Sequence, residues 1–295
     1  MKKYFRTDLA CEAADDLKHI EGTEYSLSEL GICTVDRLKI LTREAAERLE
    51  RALGSYVTLS TREIWKLDEE EISELAEVLK AELLSMITYI CKIDKLSSDF
   101  SILVAGLGNV SITADAIGPE TVERLTVTRH IKAFDTDLFA DLGFCEVSAI
   151  IPGVLGKTGI ESADVIRSAA EKVKPDVIII IDALAAGAVE RLATTIQLSD
   201  TGINPGAGIG NFRSELSRST LGVPVISLGV PTVVDSSSLI YDAFMRAGIE
   251  QIPESMRELL ENGVGYYVTP KETDMITEKV ASLLSQAITE AMVIS

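Results

Sequence analysis

The sequence predicts an α/β protein, a mostly parallel twisted sheet flanked by helices. Three observations carry that prediction. From Val35 onward, short β-branched runs alternate with segments of helical period, the pattern of parallel strands joined by helical crossovers. The runs are apolar almost throughout, Val177-Ile178-Ile179-Ile180-Ile181 above all, as central strands covered on both faces must be. Finally, 46% hydrophobic residues in a chain of 295 can bury one large core or two modest ones, and no internal repeat or low-complexity linker divides the chain. A single domain over residues 1–295 is expected.

In chain order, apolar periodicity places a helix at 43–53, a strand at 55–60, a helix at 68–90 and a strand at 102–105. A helix at 114–126 and a strand at 145–150 follow. Next come a helix at 162–173 and the strand at 177–181, which Asp182 ends. Residues 199–218, rich in Gly and Ser, read as a long functional loop. A strand at 223–228, a helix at 235–247 and a C-terminal helix towards Ala291 complete the pattern, the last opened by Thr269-Pro270 with Glu272 and Asp274.

Charge narrows the function. With 46 acidic against 28 basic residues the formal charge is -18, which repels nucleic acid and anionic membranes and favours basic protein or peptide partners. Cys11, Cys33, Cys91 and Cys145 are scattered without a C-x-x-C pair, so reduced thiols in a cytoplasm are expected, and no zinc knuckle. The N-terminus lacks the apolar stretch of a secretory signal, and the longest apolar run is too short to span a bilayer. Neither export nor membrane insertion is expected.

Two aspartates fall where an open α/β sheet places ligands, just beyond the carboxyl ends of strands. Asp115 follows the 102–105 strand and the turn Gly106-Leu107-Gly108-Asn109, with Gly118-Pro119 after it. Asp182 closes the 177–181 run. Two carboxylates held close in a low-dielectric cleft do not both ionise, so one serves as base and the other as acid, which suffices to activate water for amide hydrolysis. The plainer alternative is a helix-terminal residue and a strand-end cap.

Other motifs compete. Gly153-Val154-Leu155-Gly156-Lys157-Thr158 resembles a phosphate-binding loop, but that loop needs glycine where Ile151 stands, and Gly159 with Ser162 points to a helix that starts after Lys157. Gly106-Leu107-Gly108 has Ser111 in place of the third glycine of a dinucleotide fingerprint, so no cofactor is expected. Asp200-Thr201-Gly202 matches the pepsin tripeptide once, where that chemistry needs two copies; a loop turn is the better reading. With only His19 and His130, and neither G-x-S-x-G nor H-E-x-x-H, serine-triad and zincin mechanisms lack their parts. His130 either joins Asp115 and Asp182 as metal ligands or caps a helix C-terminus. In the Gly-rich loop Gly206 and Gly208 offer backbone N–H groups to a substrate carbonyl, and Arg213 offers a partner for a carboxylate. Asn109 and Asp200 complete the supporting set.

Taken together, Arg6-Thr7-Asp8-Leu9-Ala10, Gly106-Leu107-Gly108-Asn109, Asp115-Ala116-Ile117-Gly118-Pro119 and Val127-Thr128-Arg129-His130 resemble the germination protease family of spore-forming bacteria. Ile181-Asp182-Ala183-Leu184-Ala185, Ser199-Asp200-Thr201-Gly202, Gly229-Val230-Pro231-Thr232-Val233-Val234-Asp235 and Val268-Thr269-Pro270-Lys271-Glu272 extend the likeness over nearly the whole chain. The resemblance implies an endopeptidase that degrades small acid-soluble DNA-coating spore proteins during germination, inside the forespore or spore core. It implies an atypical aspartic protease whose catalytic pair falls on Asp115 and Asp182, and a fold similar to hydrogenase-maturation peptidases. It also implies synthesis as a zymogen and assembly as a homotetramer. One departure stands out: only Met1 to Phe5 precede Arg6, where the family usually carries a propeptide, so altered self-processing is expected.

Overall fold

The computed structural model describes residues 6–13, 17–204, 214–249, 252–262 and 265–294. Its centre is a nine-stranded sheet. The strands are β1 (Thr23–Leu30), β2 (Cys33–Ile40), β3 (Gly54–Ser60), β4 (Ser101–Gly106), β5 (Glu146–Ile150), β6 (Val177–Ala186), β7 (Thr195–Ser199), β8 (Val225–Asp235) and β9 (Tyr267–Val268). They lie in the order β1-β2-β3-β7-β8-β6-β4-β5, with β9 on the end of β8. β5, β4, β6 and β8 are mutually parallel, as the alternating pattern predicts. The other half is antiparallel: β3 occupies the strand expected over 55–60, while the β1–β2 hairpin and β7 were not expected, and together they make the sheet mixed.

The helices are α1 (Arg43–Leu49), α2 (Glu69–Cys91), α3 (Ile117–Glu123), α4 (Arg129–Phe134), α5 (Thr136–Leu142) and α6 (Leu155–Thr158). They continue with α7 (Ser162–Val173), α8 (Arg218–Leu221), α9 (Ser236–Arg246), α10 (Glu254–Asn262) and α11 (Thr273–Ala291). α2 begins where Asp68 accepts from the Glu71 N–H while Glu71 accepts from the Asp68 N–H, a full capping box. Among the described residues no helix is long and apolar enough to cross a membrane.

β4, β6 and β8 are buried on both faces, edge strand β5 only in part, and alternation divides their side chains between two cores. Ile102, Val104, Ile179 and Ile181 face α2, α3 and α11. Leu103, Ala105, Ile178 and Ile180 face α7. The chain therefore leaves β4 over one face through α3 and returns from β5 to β6 over the other through α7. That reversal makes the crevice at the carboxyl ends of β4 and β6 a topological switch point, where open α/β sheets bind their ligands.

Candidate active site

β4 stops at Gly106 and the chain turns at once. A Cβ on Gly118 would meet the Leu107 and Ile181 carbonyl oxygens at 2.3 and 2.7 Å, and one on Gly106 would meet the Gly118 carbonyl oxygen at 2.3 Å. Glycine at both positions lets the start of α3 lie directly on the sheet backbone. The Leu107 N–H donates to the Ile181 carbonyl at 2.8 Å, tying the turn to β6 one residue before Asp182. Gly108 has φ +124°, and a Cβ there would stand 1.9 Å from the Asp115 carbonyl oxygen.

Asn109 then closes the loop around Asp115. Its N–H donates to the Asp115 carbonyl at 3.0 Å, its carbonyl accepts from the Ile112 N–H at 2.8 Å, and its Oδ1 accepts from the Ser111 N–H at 3.0 Å. These bonds fix the backbone of Asp115 against Asn109. Thr232 of β8 and Thr277 of α11 donate their hydroxyls to the Ala114 and Thr113 carbonyls at 2.7 and 3.0 Å. Asp115 itself ends a 3-10 turn ahead of α3, not the first turn of a long helix over 114–126.

Asp182 lies inside β6, paired with Gly229 of β8, because the strand runs on to Ala186. The expectation that it ends the strand is corrected: only β4 stops there, with Gly106 opposite Ile181. Asp182 is 7% exposed, and the Ala183 N–H donates to its Oδ1 at 3.0 Å. Asp115 and Asp182 both open on one cavity of about 230 Å³. Larger hollows of about 440 and 610 Å³ lie elsewhere, and neither contains either aspartate. The cavity of about 230 Å³ is the one that both Asp115 and Asp182 line.

Asp8 opens on the same cavity, and it is the residue that spacing arguments missed. The chain from Arg6 to Glu12 lies against β6: the Asp8 N–H donates to the Ala185 carbonyl at 2.9 Å, and the Ala185 N–H donates to Asp8 Oδ2 at 2.8 Å. Glu12 accepts from the Gly187 and Ala188 N–H groups at 2.8 and 3.0 Å. Arg51 donates to the Thr7 and Leu9 carbonyls at 2.8 and 3.1 Å, and Leu9 is wholly buried. A second cavity of about 200 Å³ shares Asp8 and Asp182 and adds Arg51, Gln197 and Ser199. Its only sequence signal was its place in Arg6-Thr7-Asp8-Leu9-Ala10. Tyr267 also lines the site, its phenol pushed up by burial and then by Asp235, so it remains a proton donor at neutral pH.

The remaining candidates fall elsewhere. His130 is exposed in the first turn of α4, not at a helix C-terminus. Thr128 just before it is stitched to the start of β5, its N–H donating to the Val147 carbonyl at 3.0 Å and its Oγ1 to the Cys145 carbonyl at 2.7 Å. That is the amino end of the parallel strands, and Asp115 follows the carboxyl end of β4, roughly 16 Å away at ~3.3 Å per strand residue. Among the described residues no group of three or more His, Cys, Asp or Glu is arranged to hold a metal ion. Asp200 accepts from the Ser55 N–H at 2.7 Å and locks the ends of β3 and β7 together, outside the cavity of the two aspartates. Gly206, Gly208 and Arg213 lie outside the described residues. On either side of the undescribed residues, the Ile203 and Leu216 backbones pair, with N–H to carbonyl bonds of 2.9 and 2.8 Å. Lys157 donates to Ser111 Oγ and sits in the four-residue α6, with the following long helix starting only at Ser162, so it heads no phosphate-binding helix.

Fold and site together define an α/β protein with acidic groups gathered at its switch point. The profile of the germination protease family matches residues 5–258, and the chain belongs to that family of peptidases. It is 38% identical to the germination protease of Clostridium acetobutylicum, over 97% of this chain and 94% of that one. The Clostridium perfringens protein is 39% identical over the same shares. That of Priestia megaterium is 44% identical over 80% of this chain and 65% of its own length. Among solved structures the chain is similar, with a TM-score of 0.35 and 16% identity over 68% of this chain and 96% of that one, to the [NiFe] hydrogenase maturation protease HycI of Thermococcus kodakarensis.

Proposed function

We propose that the protein is an endopeptidase that hydrolyses small acid-soluble spore proteins at germination, with Asp115 and Asp182 as its catalytic pair. The observation that carries this reading is that both carboxylates open on one small cavity at the switch point of the sheet. Hydroxyls from β8 and α11 hold the Ala114 and Thr113 carbonyls just before Asp115, the Asn109 N–H holds its own carbonyl, and Asp182 is buried in β6. One carboxylate, ionised, takes a proton from water as the water attacks the scissile carbonyl. The other, protonated, polarises that carbonyl and then donates to the leaving amine, so that the pair ends the cycle with its protons exchanged.

Membership of the germination protease family supports the substrate class, and so does the chain's excess of acid, which suits basic protein segments. Synthesis as a zymogen, action in the forespore or spore core and assembly as a homotetramer belong to the same reading. The test is cleavage of a purified small acid-soluble spore protein by wild type and by folded Asp115→Asn and Asp182→Asn, with and without chelator. Chelator-resistant cleavage that falls at least ~100-fold in both variants is expected. Full proteolysis by a folded Asp182→Asn would show the paired-carboxylate mechanism to be wrong.

A further inference from the structure

We propose that the main-chain carbonyl oxygen of Ala183 accepts a backbone N–H of the bound polypeptide, holding the substrate chain against the edge of β6 beside Asp115 and Asp182. The proposal rests on the reading of this cavity as a peptidase site. It arises from an accounting of backbone groups along one edge.

The Ile178 N–H donates to the Pro224 carbonyl at 2.9 Å, so even-numbered residues of β6 direct their backbone groups to β8 and odd-numbered ones to the opposite edge. On that opposite edge β4 pairs only as far as Ile181, whose carbonyl accepts from Leu107 at 2.8 Å. Four residues on, the Asp8 segment takes over, its N–H and Oδ2 bonding the Ala185 carbonyl and N–H at 2.9 and 2.8 Å. Glu12 covers the next N–H groups, those of Gly187 and Ala188.

Ala183 is the residue between these two coverings. Its N–H donates to Asp182 Oδ1 at 3.0 Å, and among the described residues nothing donates to its carbonyl. Ala183 is half-buried and lines the cavity that holds Asp115 and Asp182. From Ile181 to Ala185 the open edge measures about 13 Å at ~3.3 Å per residue. One extended peptide can reach it, but a strand of ordinary length cannot pair along it. A polypeptide offers a backbone N–H whatever its sequence, so this acceptor anchors the chain while side-chain pockets select the residue.

The test uses the folded Asp115→Asn protein, which on the proposed mechanism binds without cleaving. The probe is a peptide spanning a bond that wild type cuts in a small acid-soluble spore protein, synthesised as a series with each backbone nitrogen methylated in turn. One position is expected to weaken binding about tenfold, the effect of leaving one buried acceptor unpaired, while its neighbours bind as before. Carbonyl-¹³C alanine combined with ¹⁵N leucine then reads the acceptor itself. Only Ala52–Leu53 and Ala183–Leu184 join these residue types in the chain, and the Ala52 carbonyl already accepts from the Tyr56 hydroxyl at 3.0 Å. The Ala183 carbonyl signal should move on adding the parent peptide, and should not move when the peptide methylated at the sensitive position is bound to the same occupancy. An Ala183 signal that stays fixed at saturation, a methylation series without a sensitive position, or no binding at millimolar peptide overturns the proposal. Cleavage by Asp115→Asn would instead sink the paired-aspartate mechanism, and the carbonyl signal would still decide the role of Ala183.

Discussion

Replacing Gly108 with alanine moves Asp115 without altering its carboxylate. The new Cβ would stand 1.9 Å from the Asp115 carbonyl oxygen, where real Cβ contacts essentially never fall below 3.0 Å, so the loop must give way by more than an ångström. The obstacle is backbone, held by the Asn109 N–H at 3.0 Å, and it cannot swing aside as a flexible side chain would. A catalytic group displaced by ~1 Å loses on the order of 100-fold in rate. The φ of +124° adds local strain of about 1–3 kcal/mol. Gly108→Ala should therefore lower kcat about 100-fold and lower the thermal midpoint modestly. Gly143→Ala is the matched control: its φ is +65° at the end of α5 and nothing lies within 4 Å of the added Cβ, so it pays the strain and keeps full activity. Steady-state cleavage of a spore protein, paired with thermal melts of both variants, reads the difference. A folded Gly108→Ala with kcat within about threefold of wild type, a change below ~1 kcal/mol, would refute the placement of Asp115 in the chemistry.

Asp8→Ala removes the acceptor of the Ala185 N–H and should cost about 1.5–3 kcal/mol of stability together with activity; unchanged melting and turnover would reduce the Arg6–Glu12 segment to a bystander. His130→Ala should leave both turnover and its resistance to chelator intact, whereas a loss restored by a divalent ion would return His130 to the site as a metal ligand. Burial holds the Cys33 thiol up to about 11 and that of Cys145 up to about 12, against an ordinary 9.0. The folded state keeps those protons longer than the unfolded chain does. The stability they contribute is therefore fully present below about pH 9 and lost as pH rises towards 12, and denaturant titrations from pH 8 to 11 should show it falling. At pH 8 thiol reagents should label Cys145 only as fast as the protein unfolds.

Where local chemistry decides structure, the sequence was readable. The 162–173 helix was expected within the residues it occupies, and Asp68 and Asp235 cap α2 and α9 at the expected starts. The central parallel strands β4, β6 and β8 announced themselves because burial on both faces selects long, mainly apolar runs. The β1–β2 hairpin did not: β1 is exposed or half-buried along its whole length, so it carries no apolar alternation to read. The ends of β6 and β8 were placed too early because Asp182 and Gly229 interrupt apolar runs, although the ladder between them continues. In the candidate site, Asp115 and Asp182 drew attention as acidic residues following the apolar runs of β4 and β6, a local signal, although Asp182 lies inside β6 and not beyond it. Asp8 did not, since its role rests on contacts with Ala185 across 177 residues of chain. His130 misled for the same reason, as residues near Asp115 in sequence are carried by α3 to the far edge of the sheet.

The most direct test of the paired mechanism is a double-mutant cycle on kcat with Asp115→Asn, Asp182→Asn and the combined variant, all verified as folded. Groups that act as one unit lose together, so the combined variant should be about as slow as either single one. Losses that multiply, or a single variant that keeps near-normal turnover, would contradict a mechanism in which the two carboxylates share the work.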